Sequence, residues 1–181
     1  MLELVFVIVV AGILAAALIP RMDRDTLYEA SEQLLRDIKY TQHMAMMDNV
    51  YKDDVEHWFY ERWKIQMTAE GAYTISKGDS NGNLFDTLVV AQDPLTRRNI
   101  NGTGDYNLES KYKIGFQDAD AGTLYFDNLG RPYWTTGTTN PTRATQYLLT
   151  DLLEITLTEG GDTATITIRP ETGYSDISYN P

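Results

Sequence analysis

Glu3 is the side chain whose chemistry is hardest to reconcile with its neighbours. It heads an uncharged run from Leu4 to Ile19 that closes at Pro20-Arg21, and an unpaired carboxylate in hydrocarbon costs roughly 2.5–3.5 kcal/mol or more. No basic side chain precedes Arg21, and a helix would carry that guanidinium about 27 Å away at its rise per residue. The cation within reach is an N-terminal ammonium, that of Met1 in the same chain or of a neighbouring copy. A second candidate is Asp79-Ser80-Asn81-Gly82-Asn83-Leu84-Phe85-Asp86, where Asp79, Asn81, Asn83 and Asp86 offer side-chain oxygens as calcium loops do. The stretch departs from the EF-hand template, with Gly82 at position four rather than six and Val90 where the bidentate glutamate belongs. A turn that uses Asp, Asn and Gly for their dihedral preferences is the competing reading, and apart from that calcium no cofactor is expected. Asn101-Gly102-Thr103 is a formal N-glycosylation acceptor. It has no acid two residues upstream, and an ordinary loop asparagine is the favoured reading of Asn101. His43 and His57 accompany no Ser or Cys nucleophile motif and no H-E-x-x-H or Gly-x-Ser-x-Gly pattern, so no enzyme activity is expected.

The elements that would position these groups are of two kinds. Residues 1 to about 49 contain one proline, Pro20, and one glycine, Gly12; they predict a helix of roughly 70 Å, weakened at Gly12 and kinked near Pro20. Its first part, residues 1–22, is apolar on all faces, which calls for burial in lipid or in a bundle of like helices. Its second part, residues 23–49, is amphipathic, with Leu27, Ala30, Leu34, Ile38, Thr41 and Ala45 in one stripe. Residues 50–181 read as one β-rich globular head that covers this stripe. The alternation of apolar residues predicts strands at 63–68, 72–76, 86–91, 111–116, 123–127, 132–135, 152–159 and 163–169, the last two forming a hairpin across Gly160-Gly161-Asp162. Residues 93–107 form a long polar insertion. The expected fold class is α+β, a long N-terminal α-helix packed through its amphipathic half on an antiparallel sheet.

The run from Glu3 through Gly12 to Pro20-Arg21 resembles the mature N-terminus of type IV pilins and type II secretion pseudopilins, in which a glutamate, a glycine and a helix-breaking proline stand at this mutual spacing. That family usually has four residues before the glutamate; this chain has two, Met1 and Leu2. Tyr125-Phe126-Asp127-Asn128-Leu129-Gly130-Arg131-Pro132 and Ile166-Thr167-Ile168-Arg169-Pro170-Glu171-Thr172-Gly173 resemble a strand and turn of the minor pseudopilin head. The resemblance implies a pilin-like fold and a structural subunit of a type IV pilus-like filament, with Met1, Glu3, Gly12 and Pro20 as assembly residues and Glu3 paired to a neighbouring amine. It further implies a homopolymer through the N-terminal helix, prepilin peptidase and an inner-membrane assembly machinery as partners, and a path from the inner membrane to a cell-surface filament or periplasm-spanning pseudopilus. Two alternatives stand beside it, a minor pseudopilin of a type II secretion system and a membrane-anchored binding module. A plain anchor needs about 20 apolar residues and gains nothing from Glu3, and a signal peptide would carry a basic n-region that is absent here.

Composition narrows the function classes. The 181 residues carry a net charge of −11, divided as −3 over residues 1–50 and −8 over residues 51–181. Nucleic-acid binding depends on clustered basic side chains and released counterions. Here the grouping Arg97, Arg98, Lys111 and Lys113 is interleaved with Asp93, Asp105 and Glu109, so a nucleic-acid partner is not expected. There is no cysteine, and the head must hold itself together by sheet packing or ions rather than disulfides.

Overall fold

The computed structural model describes residues 3, 5, 7–12, 26–117 and 120–180. Its main helix, α1 (Thr26–Met47), buries Leu27, Ala30, Leu34, Ile38, Thr41 and Ala45, as the stripe requires, and also Ser31, Gln33, Leu35 and Asp37. The buried arc is wider than one stripe because α1 packs on two sheets rather than the single one expected. The first has five antiparallel strands in the order β3 (Val89–Val90), β2 (Tyr73–Lys77), β1 (Trp63–Met67), β4 (Thr123–Phe126), β5 (Pro132–Thr135). The second has three, β6 (Leu153–Glu159), β7 (Asp162–Ile168) and β8 (Ser175–Asn180). Leu34 and Ile38 meet Ile65, Ile75 and Leu124 of the first sheet and Ile155, Ile166 and Ile168 of the second in one apolar cluster. Each such side chain contributes about 1.5–3 kcal/mol when fully buried.

The five-stranded sheet is buried on both faces. Trp63, Ile65 and Met67 alternate toward α1, while Lys64, paired across the sheet with Ser76 and Tyr125, faces the other way. That outer face lies under a second apolar cluster of Phe59, Tyr60, Leu84, Tyr125 and Tyr133, which includes the aromatic run at Trp58–Glu61, a short 3-10 helix. The β6–β7 hairpin turns on Gly160-Gly161 with Glu159 opposite Asp162. The positive φ of 64° falls at Gly160, the first central position, where II′ turns place glycine.

Three sequence expectations are corrected. Residues 111–116 do not form a strand; Leu108–Tyr112 is a short helix, α2. The local alternation loses to a cap, because the Asn107 side chain accepts a hydrogen bond from the Ser110 amide at 2.8 Å and Lys113 closes the turn in the left-handed region at φ 65°. The strand at 86–91 shrinks to β3, because Asn83 engages the amides of Phe85 and Asp86. The expected localisation, an inner membrane and then a cell-surface filament, is also corrected: among the described residues no helix is long and apolar enough to cross a membrane. α1 carries Glu29, Glu32, Arg36, Asp37 and Lys39, and the apolar helical residues at the N-terminus that are described are Val5 and 7–12. The continuity of a single helix over residues 1–49 lies outside the described residues.

Candidate functional site

Glu3, Val5 and residues 7–12 are helical and exposed. Val7 and Ile8 are each 63 % exposed, which for apolar side chains on a helix is surface without a cover. Gly12 has no heavy atom within 4 Å of the place a Cβ would occupy, so the space beside it is open to a neighbour. Met1 and Pro20 lie outside the described residues.

Two turns of the head, at residues 127–131 and 169–173, meet at the far end of α1. Gln42 donates through Nε2 to the carbonyls of Gly130 and Thr172, both at 2.9 Å. Gly173 sits at φ 66°, and a Cβ there would come within 2.4 Å of the Gly130 carbonyl oxygen. Asp127 supports the first turn by accepting from the Leu129 and Arg131 amides and pairing with the Arg131 guanidinium at 2.7 Å.

In the Asp79–Asp86 stretch two of the four residues proposed for calcium, Asp79 and Asn83, turn their oxygens to the backbone. Asp79 Oδ1 accepts from the Asn81 amide at 2.9 Å, and Asn83 Oδ1 accepts from Phe85 and Asp86 at 2.8 and 2.9 Å. Two lysines anchor the loop's surroundings. Lys64, fully buried, donates to the Asp86 carbonyl at 2.7 Å, and its ammonium is pushed down to about 8 by burial, with Asp86 opposing the shift. Lys77 lies 2.8 Å from Asp48 and 3.7 Å from Glu61, to which Ser80 also donates. Among the described residues no group of three His, Cys, Asp or Glu is placed to hold a metal ion.

The insertion at 93–107, together with α2, docks on α1 through a polar network that the sequence does not announce. Gln33 Nε2 donates to the Tyr73 hydroxyl at 2.6 Å and the Asp105 carbonyl at 2.7 Å, while its Oε1 accepts from Lys111 and Tyr112. Tyr73 in turn donates to Asp37 at 2.6 Å. Burial pushes the Asp37 carboxyl above its ordinary range, with Tyr73 and Arg36 opposing the shift. Beside this network runs a cleft of about 440 Å³ lined by Arg97, Arg98, Asn101, Thr103, Asp105 and Tyr106. Of its two arginines Arg98 is compensated, 3.0 Å from Asp105, which Lys111 outside the cleft also approaches at 3.7 Å. His43 is exposed on α1, and His57 packs against Tyr60 at 4.9 Å between ring centres.

Gln33, Asp37 and Lys64 were not singled out from the sequence. Each occupies a position that a periodic pattern assigns to a polar face; the only available signal was the surplus of polar residues within α1 and β1. No family model, no curated protein and no solved structure matches this chain.

Proposed function

We propose that the chain is a structural, filament-forming subunit of pilin type, its N-terminal helices bundled as a core and its two-sheet head forming the outer surface. The observation that supports this reading is the exposure of Val5, Val7, Ile8, Val9 and Val10 on a helical segment with a single acid, Glu3, at its head. Apolar surface of this kind marks a site of association, and a bundle of identical helices covers a helix that is apolar all round. Glu3 then sets the stagger between copies, because one axial register brings its carboxylate to the amine of a neighbour's first residue. Removing one partner of a buried ion pair costs about 3–5 kcal/mol, enough to empty a polymer that relies on it. Glu3→Ala in the full-length chain leaves the head folded by circular dichroism and gives few or no filaments in negative-stain images. A filament yield equal to that of the unaltered chain removes the reading.

A further inference from the structure

We propose that Asn101 is an N-glycosylation site whose first sugar units seat in the cleft beside it. The chain has one Asn-x-Ser/Thr triplet with x other than proline, Asn101-Gly102-Thr103; Asn140-Pro141-Thr142 carries the proline that blocks the acceptor. The two asparagines also differ in their surroundings. Asn140 Oδ1 is engaged by the Leu84 amide at 3.0 Å. Asn101 is exposed, and its Nδ2 has no hydrogen-bond partner among the described residues. Its Oδ1 accepts from the Thr103 hydroxyl at 2.8 Å. Gly102, at φ 77°, turns the chain so that the hydroxyl folds back on the amide, a backbone conformation that favours glycine. The Asn101 backbone is meanwhile held by its bridge to Thr74, so the acceptor is presented in one geometry.

The chemistry balances with a glycosyl donor activated as a phosphate or pyrophosphate ester. Nδ2 forms a bond to the anomeric carbon, and the bond from that carbon to the phosphate oxygen breaks with its electron pair leaving on the phosphate. One Nδ2 proton passes to a base of the transferring enzyme. Hydrogen bonding of Thr103 to Oδ1 polarises the amide and eases that proton loss.

The cleft gives the attached saccharide somewhere to lie. Asn101 and Thr103 are part of its wall, and its volume of about 440 Å³ falls within the range of small-molecule sites, roughly 300–1,000 Å³. Arg98 and Asp105, 3.0 Å apart and with side chains 71 % and 42 % exposed, set a donor next to an acceptor at the spacing that neighbouring sugar hydroxyls require. The test is peptide mapping by mass spectrometry of the full-length chain purified from the cells that make it. The tryptic peptide of residues 99–111 should carry a saccharide on Asn101 that an amide-cleaving glycosidase releases. The modification should vanish in Asn101→Gln and Thr103→Ala and persist in Thr103→Ser, with Asn140 unmodified throughout. Thr103→Ser also guards against a folding artefact, since it keeps the hydroxyl. An Asn101 found bare, or merely deamidated at its bond to Gly102, overturns the proposal.

Discussion

Lys64 is fully buried on the outer face of the five-stranded sheet, with one hydrogen bond, to the Asp86 carbonyl. Desolvation lowers its pKa from 10.5 to about 8, and for a base whose folded pKa is depressed the stability is present above the unfolded value and lost as pH falls through the folded one. Between pH 10.5 and pH 8 that shift amounts to about 3 kcal/mol, at 1.36 kcal/mol per unit. Lys64→Met removes this titration together with the hydrogen bond to the Asp86 carbonyl. Denaturant unfolding of both proteins should therefore show the unaltered chain gaining on Lys64→Met by about 3 kcal/mol from pH 7 to pH 10.5. A difference that stays flat over this range would mean that Lys64 is solvated. Glu3 and Lys64 show the two ways a charge can be legible in sequence. Glu3 stands out because its neighbours on both sides are apolar, whereas Lys64 sits in Arg62-Trp63-Lys64-Ile65-Gln66-Met67, where alternation assigns it to solvent. The apolar cluster on its face of the sheet draws Phe59, Tyr60 and Leu84 from outside its own strand, and no local pattern reveals them.

The elements follow the sequence wherever their period is long. α1 and the β6–β7 hairpin were legible because each repeats its apolar spacing over several turns or pairs, and β5 matched its expected span of 132–135. β8 was missed: Ser175-Asp176-Ile177-Ser178-Tyr179-Asn180 has one aliphatic residue, and the strand exists because it adds to β7 through a six-residue register, a tertiary effect that outweighs propensity. The junction of α1 with the two head turns was half legible. Asn128-Leu129-Gly130 and Glu171-Thr172-Gly173 have the composition of turns, but nothing in either says that Gln42 bridges them. Gly173 is where this junction is least tolerant, since both its φ of 66° and the 2.4 Å approach to the Gly130 carbonyl exclude a side chain. Gly173→Ala should lower stability by about 1–3 kcal/mol, the usual cost of forcing a residue into a sparsely populated conformation. A melting temperature within error of the unaltered chain would show that the two turns move apart freely.

At the scale of the whole molecule, the described part of the head encloses α1 between its two sheets. The first described turn of α1 is fastened, the Thr26 hydroxyl donating to Glu159 of β6 and Tyr28 stacking on Tyr179 of β8 at 5.3 Å. Farther along, Leu34 and Ile38 are enclosed by both sheets. Among the described residues, no apolar side chain of the head clusters comes from residues 3, 5 or 7–12. Removing residues 1–25 should therefore leave a monomeric, cooperatively folding head by gel filtration and circular dichroism, with the association tendency gone along with Val5 to Val10. Aggregation of the truncated chain would mean instead that α1 needs its N-terminal continuation to stay on the sheets. The same soluble head addresses the partner question. Its acidic charge of −8 over residues 51–181 repels a polyanion at long range, and of the two arginines that line the cleft Arg98 is paired with Asp105. A gel-shift titration with DNA at low salt should show no retention, because binding would have to release counterions that this surface does not replace. Tight retention that salt reverses and that Arg97→Ala/Arg98→Ala abolishes would convert the head from a filament's outer wall into a nucleic-acid reader.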